Sequence, residues 1–114
     1  MAISRFGEPA GDQIEVCPVT TTQDISAGKW KIIILWNLST QTRRFNELQR
    51  LLPNISKGIL TRQLRELEED QMVHREVYKE VPPKVEYSLT PLGESFIPIL
   101  QSMGEWSKKN LVSK

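Results

Sequence analysis

The sequence predicts a mainly α domain of the α+β kind, in which helices lead into a two-stranded β-hairpin and one further helix closes the fold. Three observations predict it. Apolar residues recur at helical spacing up to about residue 67, the period changes to two between residues 73 and 89, and helical spacing returns after Thr90-Pro91. A chain of 114 residues suits one compact domain.

Each element has a local reason. Residues 1–16, with Gly7, Pro9 and Gly11 and no apolar period, read as a flexible arm. A short helix is expected over residues 20–27, stopped by Gly28. Residues 29–38 are apolar on nearly every side after Lys29 and Lys31, as suits a helix at the centre of a small core. Residues 39–42 form a polar turn. Arg43 and Arg44 then open a helix whose apolar stripe is Phe45, Leu48, Leu51 and Leu52, and Pro53 ends it.

Ser56 is a good N-cap for a helix over 56–70, with Ile55 and Leu60 placed to clasp across it as a hydrophobic staple. At about 100° per residue, Leu60, Leu64 and Leu67 share one face. The opposite face carries Gly58, Arg62 and Arg65, with Thr61 beside it. The acidic run Glu66, Glu68, Glu69 and Asp70 reads as the solvated end of this helix. In the hairpin, Val73, Arg75 and Val77 alternate with His74 and Glu76, and Val85, Tyr87 and Leu89 with Lys84, Glu86 and Ser88, about a tip stiffened by Pro82 and Pro83. Thr90 as cap and Pro91 in the first turn start the final helix. It sets Leu92, Phe96, Leu100, Met103 and Trp106 on one stripe, with a bend expected at Pro98.

Charge sharpens the functional reading. The net charge of +1 looks unpromising for a polyanionic partner, but residues 1–25 carry −3, residues 26–65 carry +7 and residues 66–114 carry −3. The basic excess falls on the two helices that precede the hairpin. Acidic flanks on either side should limit non-specific association and concentrate affinity on one surface.

Several classes are excluded. The longest apolar run, residues 32–36, is far short of the roughly 20 residues that cross a bilayer, so no membrane partner is expected and the chain reads as cytoplasmic. One cysteine and one histidine cannot build a zinc site, and neither a phosphate-binding glycine loop nor an activated nucleophile is present. The chain is therefore expected to be no enzyme and to need no cofactor or metal.

Two short helices joined by a tight turn, the second capped and basic at its start, followed by a hairpin, describe a winged helix-turn-helix. A major groove about 12 Å wide admits one helix, whose N-terminal residues meet base edges. Residues 56–70 are the expected recognition helix and residues 73–89 the wing. Ser56, Lys57, Thr61, Arg62 and Arg65 are expected toward double-stranded DNA, the two arginines as candidates for bidentate pairing with guanine. Arg43, Arg44, Lys79 and Lys84 are expected on phosphate; Arg75 of the wing is a further candidate, with Glu76, Glu80 and Glu86 interleaved among the wing cations. The alternative for the arginines is a solvated face with i, i+4 pairs, Arg62 with Glu66 and Arg65 with Glu69. The final stripe extends farther than a small core can cover, so Phe96, Leu100, Met103 and Trp106 are the expected homodimer interface. Twofold symmetry then implies a pseudo-palindromic operator.

Larger segments carry a family resemblance. Cys17-Pro18-Val19, Gly28-Lys29-Trp30-Lys31, Arg44-Phe45-Asn46-Glu47-Leu48, Ile55-Ser56-Lys57, the run from Leu60 to Glu68, and the run from Val81 to Gly93 together resemble the HxlR-type winged helix-turn-helix transcriptional regulators. The likeness covers residues 17–106 in order. It implies a small DNA-binding regulator that acts as a homodimer through its terminal helices, divided into an arm (1–16), a winged helix-turn-helix (17–90) and a dimerisation helix (91–114). It names no effector. It also implies a redox candidate, Cys17, at a Cys-Pro position where some relatives sense oxidants. Gln71 departs from the family, which usually has glycine there; a left-handed backbone at that point costs glutamine about 1 to 2 kcal/mol. A protein–protein module that kept the fold without DNA binding is the rival reading, and it would favour an acidic or apolar recognition face.

Overall fold

A computed structural model describes residues 18–25 and 29–111. The arm expected over 1–16 and the redox candidate Cys17 lie outside the described residues. The elements run α1 (Pro18–Ile25), α2 (Lys31–Leu38), β1 (Arg43–Arg44), α3 (Phe45–Leu51), α4 (Lys57–Glu69), β2 (Val73–Tyr78), β3 (Lys84–Leu89) and α5 (Pro91–Asn110). Helices dominate, and the strands form one antiparallel sheet in the order β1-β3-β2.

The hairpin forms in the register that its alternation requires, from Val73 opposite Leu89 to Tyr78 opposite Lys84. The sheet has a third strand that the sequence reading did not include. Arg43 and Arg44, expected to open a helix, instead pair with Tyr87 and Glu86. β2 occupies only one edge of β3, and the extended residues before α3 satisfy the backbone groups on the other. Two residues are too few to display a period.

The core gathers Ile34, Leu35 and Leu38 of α2, Leu48 of α3, Leu60, Leu64 and Leu67 of α4, Tyr87 of β3, and Phe96 and Leu100 of α5. α2 is central, but it is not buried on every side: Ile33 and Trp36 turn outward. α5 runs through Pro98 without interruption. Its inward residues are Gly93, Phe96 and Leu100, while Leu92 faces out. Gly93 has a packing reason, because a Cβ there would collide with the Met72 carbonyl oxygen.

The α4-to-β2 junction needs the left-handed backbone that Gln71 makes costly. Gln71 sits at φ 63°, the only non-glycine described residue with positive φ. The turn is held from three sides. Met72 N–H donates to the Leu67 carbonyl at 2.9 Å, Thr90 N–H donates to the Met72 carbonyl at 3.1 Å, and the Thr90 hydroxyl donates to the Gln71 carbonyl at 2.6 Å. The same Thr90 oxygen accepts from Gly93 N–H at 3.0 Å and so caps α5. One side chain thus ties the exit of α4 to the start of α5.

Candidate nucleic-acid interface

α4 is built as its sequence requires. The Ser56 hydroxyl accepts from Ile59 N–H at 3.1 Å, and Ile55 and Leu60 are both buried across the cap. Leu60, Leu64 and Leu67 fill the inner face. Lys57, Thr61, Arg62 and Arg65 are exposed on the outer one, and Thr61 donates to the Lys57 carbonyl at 2.8 Å. Outside its own helix backbone, a Cβ on Gly58 would meet no atom of the described residues within 4 Å, so the helix presents open backbone beside its cap.

None of Lys57, Arg62 and Arg65 has an ion pair among the described residues. The i, i+4 pairing expected for a bland solvated face is not made: Glu66 instead lies 2.7 Å from Lys31 Nζ, on α2. The acidic end of α4 is likewise not uniformly solvated. Glu68 and Glu69 are exposed, but Asp70 is buried and Glu66 is half-buried. Gln63 is also buried, and its Oε1 has no hydrogen-bond partner.

The support residues divide in use. Arg43 donates from Nε to the Asn37 carbonyl and from its terminal nitrogen to Thr40 Oγ1, both at 3.1 Å, so its guanidinium clasps the turn between α2 and β1. Arg44 is exposed, and its backbone N–H donates to Glu47 Oε1 at 2.8 Å at the start of α3. In the wing, Lys79 is exposed with no ion pair among the described residues. Lys84 is engaged on the outer face of the sheet, 3.9 Å from both Glu80 and Glu86 and 4.4 Å above the Tyr78 ring. The Glu86 carboxylate beside Tyr78 pushes its phenol above the ordinary tyrosine range.

Arg75, the third basic residue of the wing, shares a cleft with the outer face of α4 that Lys84 does not line. Arg75 and Arg65 line a cleft of about 320 Å³ between α4 and the sheet, together with Thr61, Leu64, Glu68 and Tyr87. The period-two pattern placed Arg75 on the inner face with Val73 and Val77. Burial on that strand stops at Val73, which leaves Arg75 exposed beside α4.

On α5, the expected dimer stripe splits. Phe96 and Leu100, 8% and 5% exposed, belong to the chain's own core; Met103 and Trp106, 49% and 60% exposed, stand free of it with Ile99. For Met103 and Trp106 the reason is length, since α5 outruns the body that packs against its first half, whereas Ile99 lies on the outward side of that half. A mostly apolar groove of about 560 Å³ opens between α5 and α2, lined by Ile32, Ile33, Trp36, Leu100, Met103 and Gly104 together with Gln101 and Glu105.

Two short helices about a turn, the second capped, and a wing, in this order and with outer-face cations that make no ion pair among the described residues, define a winged helix-turn-helix of the DNA-binding, transcription-regulating class. Comparison with family models narrows the class. Residues 25–114 match the HxlR-like helix-turn-helix model, and the chain belongs to that family. It is 53% identical over 100 residues to the HTH-type transcriptional regulator YdeP of Bacillus subtilis strain 168, covering 88% of this chain and 78% of that one. An HTH-type regulator of Methanothermobacter thermautotrophicus is 46% identical over 102 residues, covering 90% and 78%. Among solved structures, the redox regulator HypR in its oxidised form superposes with a TM-score of 0.78 at 52% identity, covering 82% of this chain and 97% of that one. The HTH-type regulator ytcD superposes with a TM-score of 0.81 at 44% identity, covering 84% and 98%. The family and these relatives are transcriptional regulators rather than enzymes. No helix among the described residues is long and apolar enough to cross a membrane.

Proposed function

We propose that this chain acts as a homodimeric, sequence-specific DNA-binding regulator in the cytoplasm, with α4 in the major groove of each half of a pseudo-palindromic operator. The carrying observation is the outer face of α4, where Lys57, Arg62 and Arg65 are exposed and make no ion pair among the described residues. Cations left without carboxylates beside a capped helix start suit phosphate and base edges. Arg62 and Arg65 are assigned to guanine edges, with Ser56 and Thr61 beside them. Lys57, Arg44 and Lys79 are assigned to phosphate, and Arg75 joins them from the cleft beside Arg65. Arg43 and Lys84 act by shaping the turn and the wing. The dimer surface is the exposed half of α5, Met103 and Trp106 with Ile99, continued by Trp36; Phe96 and Leu100 support it from the core.

Binding to a duplex followed by fluorescence anisotropy over a salt series tests this reading. The expected result is a logarithmic affinity that falls steeply and linearly with the logarithm of salt concentration. Absent or salt-independent binding would support the rival protein–protein module.

A redox input is a second reading, favoured by the 52% identity to HypR, a redox regulator solved in oxidised and reduced forms. Cys17 is the only cysteine of the chain, so an oxidant would join it to Cys17 of a second subunit or to a small thiol. Diamide treatment should then give a species on a non-reducing gel that dithiothreitol removes, with altered DNA affinity; unchanged mobility and affinity would refute the redox input.

A further inference from the structure

Lys31 is 1% exposed, yet it carries a charge into the middle of an apolar core. It is the first residue of α2, where the amide end of the helix dipole is unfavourable to a cation. Its Nζ lies 2.7 Å from Glu66 Oε1. The other end of this bond is on α4, one turn after Arg62 and adjacent to Arg65. An ion pair buried at its lysine end and half-buried at its glutamate end adds little net stability over apolar residues of the same size, because desolvation of the lysine opposes the attraction. What it does supply is direction.

Direction matters for α4 in particular. Its inner face is Leu60, Leu64 and Leu67 with the buried Gln63, and the hydrophobic gain of burying leucines is proportional to area and non-directional, so it sets a rotation less sharply than a charge-to-charge contact does. At a side-chain radius of about 6 Å, a helix rotation of about 20° carries an outer side chain about 2 Å around the axis. That is more than a bidentate hydrogen bond tolerates. An ion pair at 2.7 Å from a lysine that is itself held in the core resists such a rotation.

We propose that the Lys31–Glu66 pair is a positioning device that fixes the rotational setting of the recognition helix, so that it governs base discrimination by Arg62 and Arg65 without touching DNA. The inference rests on the DNA-reading function proposed above. Phosphate contacts tolerate a few tenths of an ångström to an ångström of displacement because charge attraction is long-ranged, whereas base-edge contacts do not. Loss of the pair therefore separates the two.

The test uses the full chain and a sequence enriched by the wild type from a random duplex pool. Lys31→Met/Glu66→Met removes both charges and keeps apolar volume. Its expected behaviour is a thermal midpoint equal to or above that of the wild type, affinity for random duplex within about threefold, and a specific-to-random affinity ratio lowered about tenfold or more. Glu66→Asp is the second variant: it keeps both charges but shortens the link by one methylene, and its ratio is expected to fall about threefold at unchanged random affinity. A folded double variant with the wild-type ratio overturns the proposal, and if the double variant does not fold, a wild-type ratio in Glu66→Asp overturns it. A wild-type chain that enriches no sequence overturns this proposal together with the proposed function. Enrichment by the wild type with undiminished discrimination in the variants overturns the positioning role alone.

Discussion

The two longest helices, α4 and α5, each give one stripe to the core and leave the remainder exposed, but the exposed parts have opposite chemistry. The outer face of α4 carries Lys57, Arg62 and Arg65, whereas the exposed surface of α5 carries Ile99, Met103 and Trp106. Solvent satisfies the first surface at no penalty, while the second leaves large apolar side chains in water. The contrast separates two kinds of partner in a chain whose net charge of +1 hides both. A polyanion fits the first, and an apolar surface such as a second copy of α5 fits the second.

The strongest way to break this contrast is to make the free end of α5 polar. Met103→Glu/Trp106→Glu should leave the thermal midpoint of the monomer nearly unchanged, since neither side chain is in the core. Sedimentation should show the mass halved, and affinity for a two-half-site duplex should fall about a hundredfold or more as the second contact ceases to be intramolecular. An unchanged mass would remove α5 as the interface. Next in size, Arg62→Ala or Arg65→Ala should each weaken binding to an enriched sequence by about 1 to 3 kcal/mol and relax preference at one base pair, while random duplex is bound nearly as before. Equal losses on both duplexes would reduce the arginines to phosphate contacts. The smallest effect concerns the turn between α4 and β2. Gln71→Gly should raise stability by about 1 kcal/mol in chemical denaturation, because glycine adopts φ 63° without the Cβ penalty. A loss of stability there would mean that the glutamine side chain contributes more than its backbone costs.

What the sequence revealed depended on how local the cause was. The Ser56 cap, the Ile55–Leu60 staple and the hairpin register follow from residues a few positions apart, and all were legible. The demand for a left-handed residue at Gln71 was legible too, through the family's glycine. Pairing across long separations was not. Lys31 and Glu66 lie 35 positions apart, and a lysine at the start of an apolar helix reads as solvated until tertiary packing buries it. β1 was hidden for the same reason, as its partner Tyr87 lies on a strand more than forty residues later. The single stripe of α5 shows a third case: Phe96 and Trp106 look alike in periodicity, and only the extent of the body decides which is covered. Within the candidate interface, the face of α4 was legible, whereas the engagement of Lys84 by Glu80 and Glu86 and the placement of Arg75 beside Arg65 depended on tertiary geometry.

The central claim is that two copies of α4 read DNA through a twofold dimer. Enrichment of bound sequences from a random duplex pool tests it most directly. The account predicts an inverted repeat whose half-site centres are about one helical turn, about 34 Å, apart, with guanines among the preferred bases. A pool without enrichment, or one enriched in a single unrepeated half-site, would contradict it.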